Sequence, residues 1–187
     1  AGNAGIPPGT IALPGDSRLG FNAVAFRPPD GDRSNFFVWD GADDEVEFIP
    51  VPDGYTLEIK SLSEQSIRVD GRAEDVPGVD FVITESGGRV HDHIAFTLRG
   101  GNSIAGTGPI DGTYLFGMEL TMEGLEASEP ILVAISTIGV GPPQAKAASE
   151  WLNENIDLFE FGTPLQAGDA NQDLQFDQLD LVQVQIA

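Results

Sequence analysis

The chain has 187 residues, of which 41% are hydrophobic, enough for one domain with a real core. Its 30 acidic residues against 9 basic ones give a net charge of −21. That balance excludes a nucleic-acid partner, because no basic surface is left to neutralise phosphates, and it is equally unsuited to an anionic membrane surface. Cysteine is absent, so disulfides, thiolate metal sites and a cysteine nucleophile are excluded.

The first residues, "AGNAGIPPGTIALPGD", are rich in Gly and Pro around one short apolar run. They read as an extended arm over residues 1–18. The small residues at the start, Ala rather than Met, fit a chain whose signal peptide has been removed. The expectation is therefore an extracellular, secreted protein. No apolar run approaches the length that spans a bilayer, so membrane insertion is not expected.

From residue 19 to about 141 the pattern is strand after strand, with turn signals every 8–12 residues. In "LGFNAVAF" (19–26), Phe21, Ala23 and Ala25 alternate with Asn22, Val24 and Phe26. "NFFVWDG" (35–41) ends in a turn, and "EVEFIPV" (45–51) alternates acid and apolar before the turn "PDG". "YTLEIKSL" (55–62) and "QSIRVDG" (65–71) follow. Residues 79–100 contain two alternating arms around Ser86, Gly87 and Gly88, which predicts a hairpin. Residues 112–124 and 129–139 supply a last pair. About nine strands without βαβ alternation predict an all-β fold, an antiparallel β-sandwich or jelly roll.

The character changes after Gly-Pro-Pro at 141–143. Residues 144–160 are good helix formers. Apolar positions at Ala148, Trp151, Leu152, Ile156 and Phe159 trace one helical face, with Gly162 and Pro164 beyond. Residues 142–187 thus read as a helix followed by a loop and a second helix.

That loop is "GDANQDLQFDQLDLVQVQIA", residues 168–187. Asp169, Asn171, Asp173, Gln175, Asp177 and Asp180 occupy positions 1, 3, 5, 7, 9 and 12 of an EF-hand-like calcium loop. Calcium wants six to eight oxygens, and alternate residues of a tight loop aim inward to supply them; Gln175 would act through its backbone carbonyl. The twelfth ligand would come from the first turn of the exiting helix. Two positions depart from the EF-hand pattern: Leu174 stands where Gly makes the sharp turn, and Asp180 stands where Glu is usual.

The second departure carries a resemblance. The "GD-N-D—FD--DLV" skeleton resembles one calcium-binding repeat of a type I dockerin, in which the twelfth position is Asp and only the exiting helix is present. The resemblance covers about 20 of the 187 residues. It implies calcium at the six residues above and a cohesin-like docking partner. A dockerin carries two such repeats and this chain has one, so a second half processed away or supplied by another chain is the corresponding expectation. The remainder is faintly similar to secreted bacterial β-sandwich surface proteins.

Other groups are candidates for metal. His91 and His93, the two histidines of the chain, would share a face if they lie on a strand, a spacing that can hold a transition metal with a third ligand. A surface pair with no metal fits the same spacing. The acidic turns contribute Asp30 and Asp32, and Asp40, Asp43 and Asp44, as further calcium candidates; solvated turns are the plainer alternative. Catalytic signals are poor: no G-x-S-x-G elbow is present, and no carboxylate pair is marked out for glycoside hydrolysis. The chain is not expected to be an enzyme. Trp39 and Tyr55 are the aromatic side chains placed near turns where a sugar platform would want them.

Two functions fit. One is a calcium-binding structural protein that polymerises into an extracellular filament or matrix, a homo-oligomer held through its arm and half-dockerin tail. The other is a dockerin-type or carbohydrate-binding module of a secreted multi-protein system, with a cohesin-like or polysaccharide partner.

Overall fold

The computed structural model describes residues 13–29, 31–42, 45–61, 65–100 and 108–162. The N-terminal arm up to residue 12 and the segment from residue 163 onward lie outside them. The described chain is all-β, built from antiparallel sheets with one helix near its end.

The central sheet has six strands. β1 (Arg18–Val24), β3 (Phe37–Trp39), β4 (Ile49–Pro50), β7 (Val76–Ile83), β9 (Thr113–Met122) and β10 (Ile131–Ser136) compose it. β9 is its spine. One side of β9 pairs with β3 over residues 113–115 and then with β1 over residues 117–122. Its other side pairs with β10. β7 lies beyond β1, and β4 beyond β3. A second sheet has the order β6 (Ser66–Val69), β5 (Thr56–Lys60), β8 (Ala95–Arg99). A two-stranded pair joins β2 (Phe26–Arg27) to β11 (Glu160–Phe161).

The alternation of strand side chains splits the aromatic run "SNFFVW" between two cores. Phe36 and Val38 face the second sheet, together with Phe21, Ala23, Tyr114 and Phe116 from the central sheet and Leu57, Ile59, Ile67 and Val69 opposite. Phe37 and Trp39 face the other way, with Phe26, Phe48 and Leu115, toward α1 (Pro142–Asn155). Phe26 and Phe37 sit 4.7 Å apart centroid to centroid, and Phe48 meets Trp151 at 5.6 Å. The middle of the central sheet, β3 and the first half of β9, is therefore covered on both faces, which is why those residues are apolar nearly throughout.

Pro142 and Pro143 open α1, where missing N–H groups cost nothing. Ala148, Trp151 and Leu152 give it the expected apolar face. The helix ends sooner than its periodicity implies. Asn155 turns its Nδ2 back to the Trp151 carbonyl at 2.8 Å, and a 3-10 turn follows at Ile156–Leu158. Ile156 is exposed, and Phe159 reaches the core from extended backbone rather than from the helix.

Three further expectations are corrected. The arms around residues 86–88 do not pair: β7 bonds to β1, and β8 to β5. A tight turn does form, with Glu85 N–H donating to the Arg89 carbonyl and Gly88 at φ +72°, but residues 89–94 then leave for the other sheet. Sheet burial, a tertiary effect, overrides the local hairpin signal. In residues 45–51 only Ile49–Pro50 is strand. Strands number eleven among the described residues rather than nine, three of them two residues long.

Candidate functional site

Asp169, Asn171, Asp173, Gln175, Asp177 and Asp180 lie outside the described residues, as do Asp30, Asp43 and Asp44. Four other metal candidates can be placed. Asp32 is exposed in the turn after β2. Asp40 follows β3, and its Oδ1 accepts the Ala42 backbone N–H at 2.9 Å, closing an Asx turn around Gly41. His91 and His93 are exposed on irregular backbone between the 85–89 turn and β8, not on a strand. Their rings nevertheless meet, edge to face, with centroids 5.4 Å apart. Asp92 between them turns its carboxylate onto the His93 backbone N–H at 2.7 Å. Among the described residues no three His, Asp or Glu side chains come together in a group that could hold a metal ion.

Both aromatic residues singled out for a sugar platform are buried. Trp39 packs in the core under α1. Tyr55 packs in the sandwich core and accepts the Ile110 backbone N–H on its hydroxyl at 3.3 Å. Tyr114 beside it donates to the Ile110 carbonyl at 2.8 Å, and burial, with smaller contributions from Tyr55 and Asp111, pushes its phenol well above the ordinary range.

The side-chain network that organises the acidic loop at 70–75 centres on Asn35, which the sequence shows only as the first residue of the strand segment 35–41. Asn35 is 1% exposed. Its Oδ1 accepts the N–H groups of Asp70 and Gly71 at 3.1 and 3.0 Å, and its Nδ2 donates to the Glu74 carbonyl at 3.0 Å. Its own N–H donates to the Arg72 carbonyl at 2.7 Å. Asp75 accepts the Ala25 N–H at 2.7 Å, and Arg33 donates to the Ala73 carbonyl at 3.1 Å. These groups satisfy one another, so the cluster acts as a clasp on the loop.

A cationic face is the second feature that sequence reasoning missed. β-alternation puts Lys60, Arg68 and Arg99, three of the nine basic residues, on the outer side of the three-stranded sheet. Glu58 sits among them, 3.4 Å from Arg99 and 3.7 Å from Arg68, and accepts the Ser66 hydroxyl at 3.3 Å. Desolvation raises its pKa, but the Arg99 hydrogen bond, the Arg68 charge and the Ser66 and Arg99 interactions together hold it below the ordinary glutamate range. Pairing across three strands required the topology, which spacing along the chain does not encode.

Concavity is slight. A shallow, open groove runs along the outer flank of β7, lined by Phe81, Val82, Ile83, Gln65 and Asp92 beside the Arg18–Asp80 ion pair. The described surface offers instead a free strand edge at β10. Comparison of the chain with protein-family models, curated proteins and solved structures finds no match.

Proposed function

We propose that this chain is a secreted, calcium-binding structural protein that self-assembles outside the cell into a filament or matrix. The observation that carries this reading is the sequence spacing of Asp169, Asn171, Asp173, Asp177 and Asp180, with the Gln175 backbone carbonyl at the seventh position, which fits the ligand demand of a calcium loop. Two properties support it. A sandwich whose middle strands are buried on both faces is a rigid building block. A net charge of −21 opposes contact between copies, and bound calcium relieves part of that repulsion. In this reading the arm at residues 6–13 adds as a strand to a neighbour, and the dockerin-like segment at 169–187 docks once calcium is bound.

The test is sedimentation and electron microscopy of the full chain in millimolar calcium and then in EDTA. Large assemblies with calcium that dissolve in EDTA, together with a melting temperature that falls on chelation, are expected. The double variant Asp173→Ala, Asp180→Ala should behave in calcium as the parent does in EDTA. Identical assembly and melting in calcium and in EDTA would sink the proposal.

A further inference from the structure

We infer that the outer edge of β10 is the acceptor for strand addition, and that its occupant is residues 6–13 of a second copy of this chain. The inference rests on the self-assembly reading above and names the surface that assembly would use.

β10 pairs with β9 from Ile131 opposite Met118 to Ser136 opposite Thr113, with no break in register. Thr137 N–H continues the ladder to the Gly112 carbonyl at 3.0 Å. Antiparallel alternation then fixes which groups face inward. The main-chain groups of Ile131, Val133 and Ile135 point at β9, and those of Leu132, Ala134 and Ser136 point away. Among the described residues no other strand pairs with that outer side.

Protein edges are normally blunted by charge, proline, bulges or brevity. The other described edges are blunted in these ways. β4 is two residues long and ends in Pro50. β6 carries Arg68, β8 carries Arg99, and β7 contains Pro77 and is flanked by the Arg18–Asp80 pair. β10, "ILVAIS", has six residues without a charge, a proline or a bulge. Such an edge is a template for another strand.

The occupant follows from charge and from where the chain leaves the sheet. Strand addition brings two backbones to about 4.8 Å, where like charges facing each other destabilise pairing. In this acidic chain the two longest runs without a charged side chain are residues 130–145, which contain β10, and residues 1–15, which contain the arm. Within the arm, Pro7 and Pro8 lack N–H groups, so the ladder would centre on residues 9–13.

The arm departs from the opposite side of the sheet. Thr84, at the end of β7, bonds Asp16 N–H through its carbonyl at 3.1 Å and Ser17 through its own N–H at 2.9 Å. Its hydroxyl donates to the Pro14 carbonyl at 2.6 Å. β7 and β10 lie at opposite edges, on either side of β1 and β9. A donor at one edge and an acceptor at the other make a head-to-tail contact, which continues as an open chain of subunits or closes into a ring according to its rotation.

The test uses the full chain in calcium with three variants. Ala134→Pro deletes an outward N–H while leaving the β9 bonds alone; Ala134 is exposed, and an edge strand tolerates proline at such a position. Ala134→Lys places a charge on the edge strand and decides the matter if the proline variant does not fold. The third variant lacks residues 1–12. Folding is checked by circular dichroism, assembly by sedimentation, and the edge by hydrogen exchange at Leu132, Ala134 and Ser136. The expected result is assembly by the parent with slowed exchange at those three amides, and association weakened by about tenfold or more in each variant. If the parent assembles and the folded variants assemble equally well, the β10 contact is wrong while self-assembly stands. Monomers with those amides protected would mean the chain's own arm covers the edge, which also overturns the contact. If the parent does not assemble in calcium at all, the self-assembly reading itself falls.

Discussion

Replacing Asn35 with Ala tests whether one buried side chain holds the acidic loop at 70–75. The change removes three hydrogen bonds, from the N–H groups of Asp70 and Gly71 and to the Glu74 carbonyl. Each is worth about 1 kcal/mol net, and a partner left unpaired adds to the loss. Residues 72–75 are exposed, so water recovers part of the cost. The expected destabilisation is therefore about 2–3 kcal/mol. It should appear in urea unfolding as a lower midpoint with an unchanged slope. The bond from Asn35 N–H to the Arg72 carbonyl survives the substitution, so the loop should loosen rather than detach. Asp32→Ala, at an exposed position three residues away, is the control and should stay within about 0.5 kcal/mol of the parent. A loss below about 1 kcal/mol for Asn35→Ala would refute the clasp, because it would mean the loop keeps its conformation without those bonds.

Two other substitutions probe the sheets. A Cβ at Gly78 would collide with the Phe21 carbonyl, at the irregular part of the β1–β7 ladder where Asn22 Oδ1 accepts the Gly78 N–H at 2.9 Å. Backbone cannot yield as a side chain can, so Gly78→Ala should cost about 3 kcal/mol or more in the same urea measurement, and a neutral result would show that the two strands can separate freely. Glu58→Gln should alter the pH dependence of stability. The folded-state pKa of Glu58 is depressed, so its contribution is present above the ordinary glutamate value and is lost as pH falls through the folded value. Melting temperatures should show the parent losing more than the variant as pH drops below about 4, and parallel curves would contradict the assignment.

The strands were legible wherever alternation was strong, because burial of one face writes itself into every second residue. β5, β6, β9 and β10 fall within the segments expected of them, and β1 starts one residue before its own. Pairing was less legible. Ser86, Gly87 and Gly88 form the turn that their composition announces, yet the two arms bond elsewhere, since partner choice depends on burial across the whole sheet. The helix was readable as far as Leu152, after which Phe159 mimicked helical spacing while reaching the core by another route. His91 and His93 do not share a strand face as their spacing suggests; their rings meet on irregular backbone. Asn35 was opaque because a single amide before an aromatic run carries no periodic signal. Its role exists only once residues 70–75 are folded against it.

The distribution of charge links the two proposed contacts. Self-association of a chain at −21 faces repulsion that grows as copies approach. A strand edge supplies main-chain hydrogen bonds and apolar contact but neutralises nothing. A calcium loop neutralises charge but, at residues 169–180, lies apart in sequence from the uncharged run at 130–145. Each device therefore lacks what the other provides. The cationic face at Lys60, Arg68 and Arg99 does not replace either of them, because Glu58 already pairs with both arginines. In the proposed assembly calcium lowers the long-range barrier, and β10, uncharged and without another strand on its outer side among the described residues, then sets the register and direction of the contact.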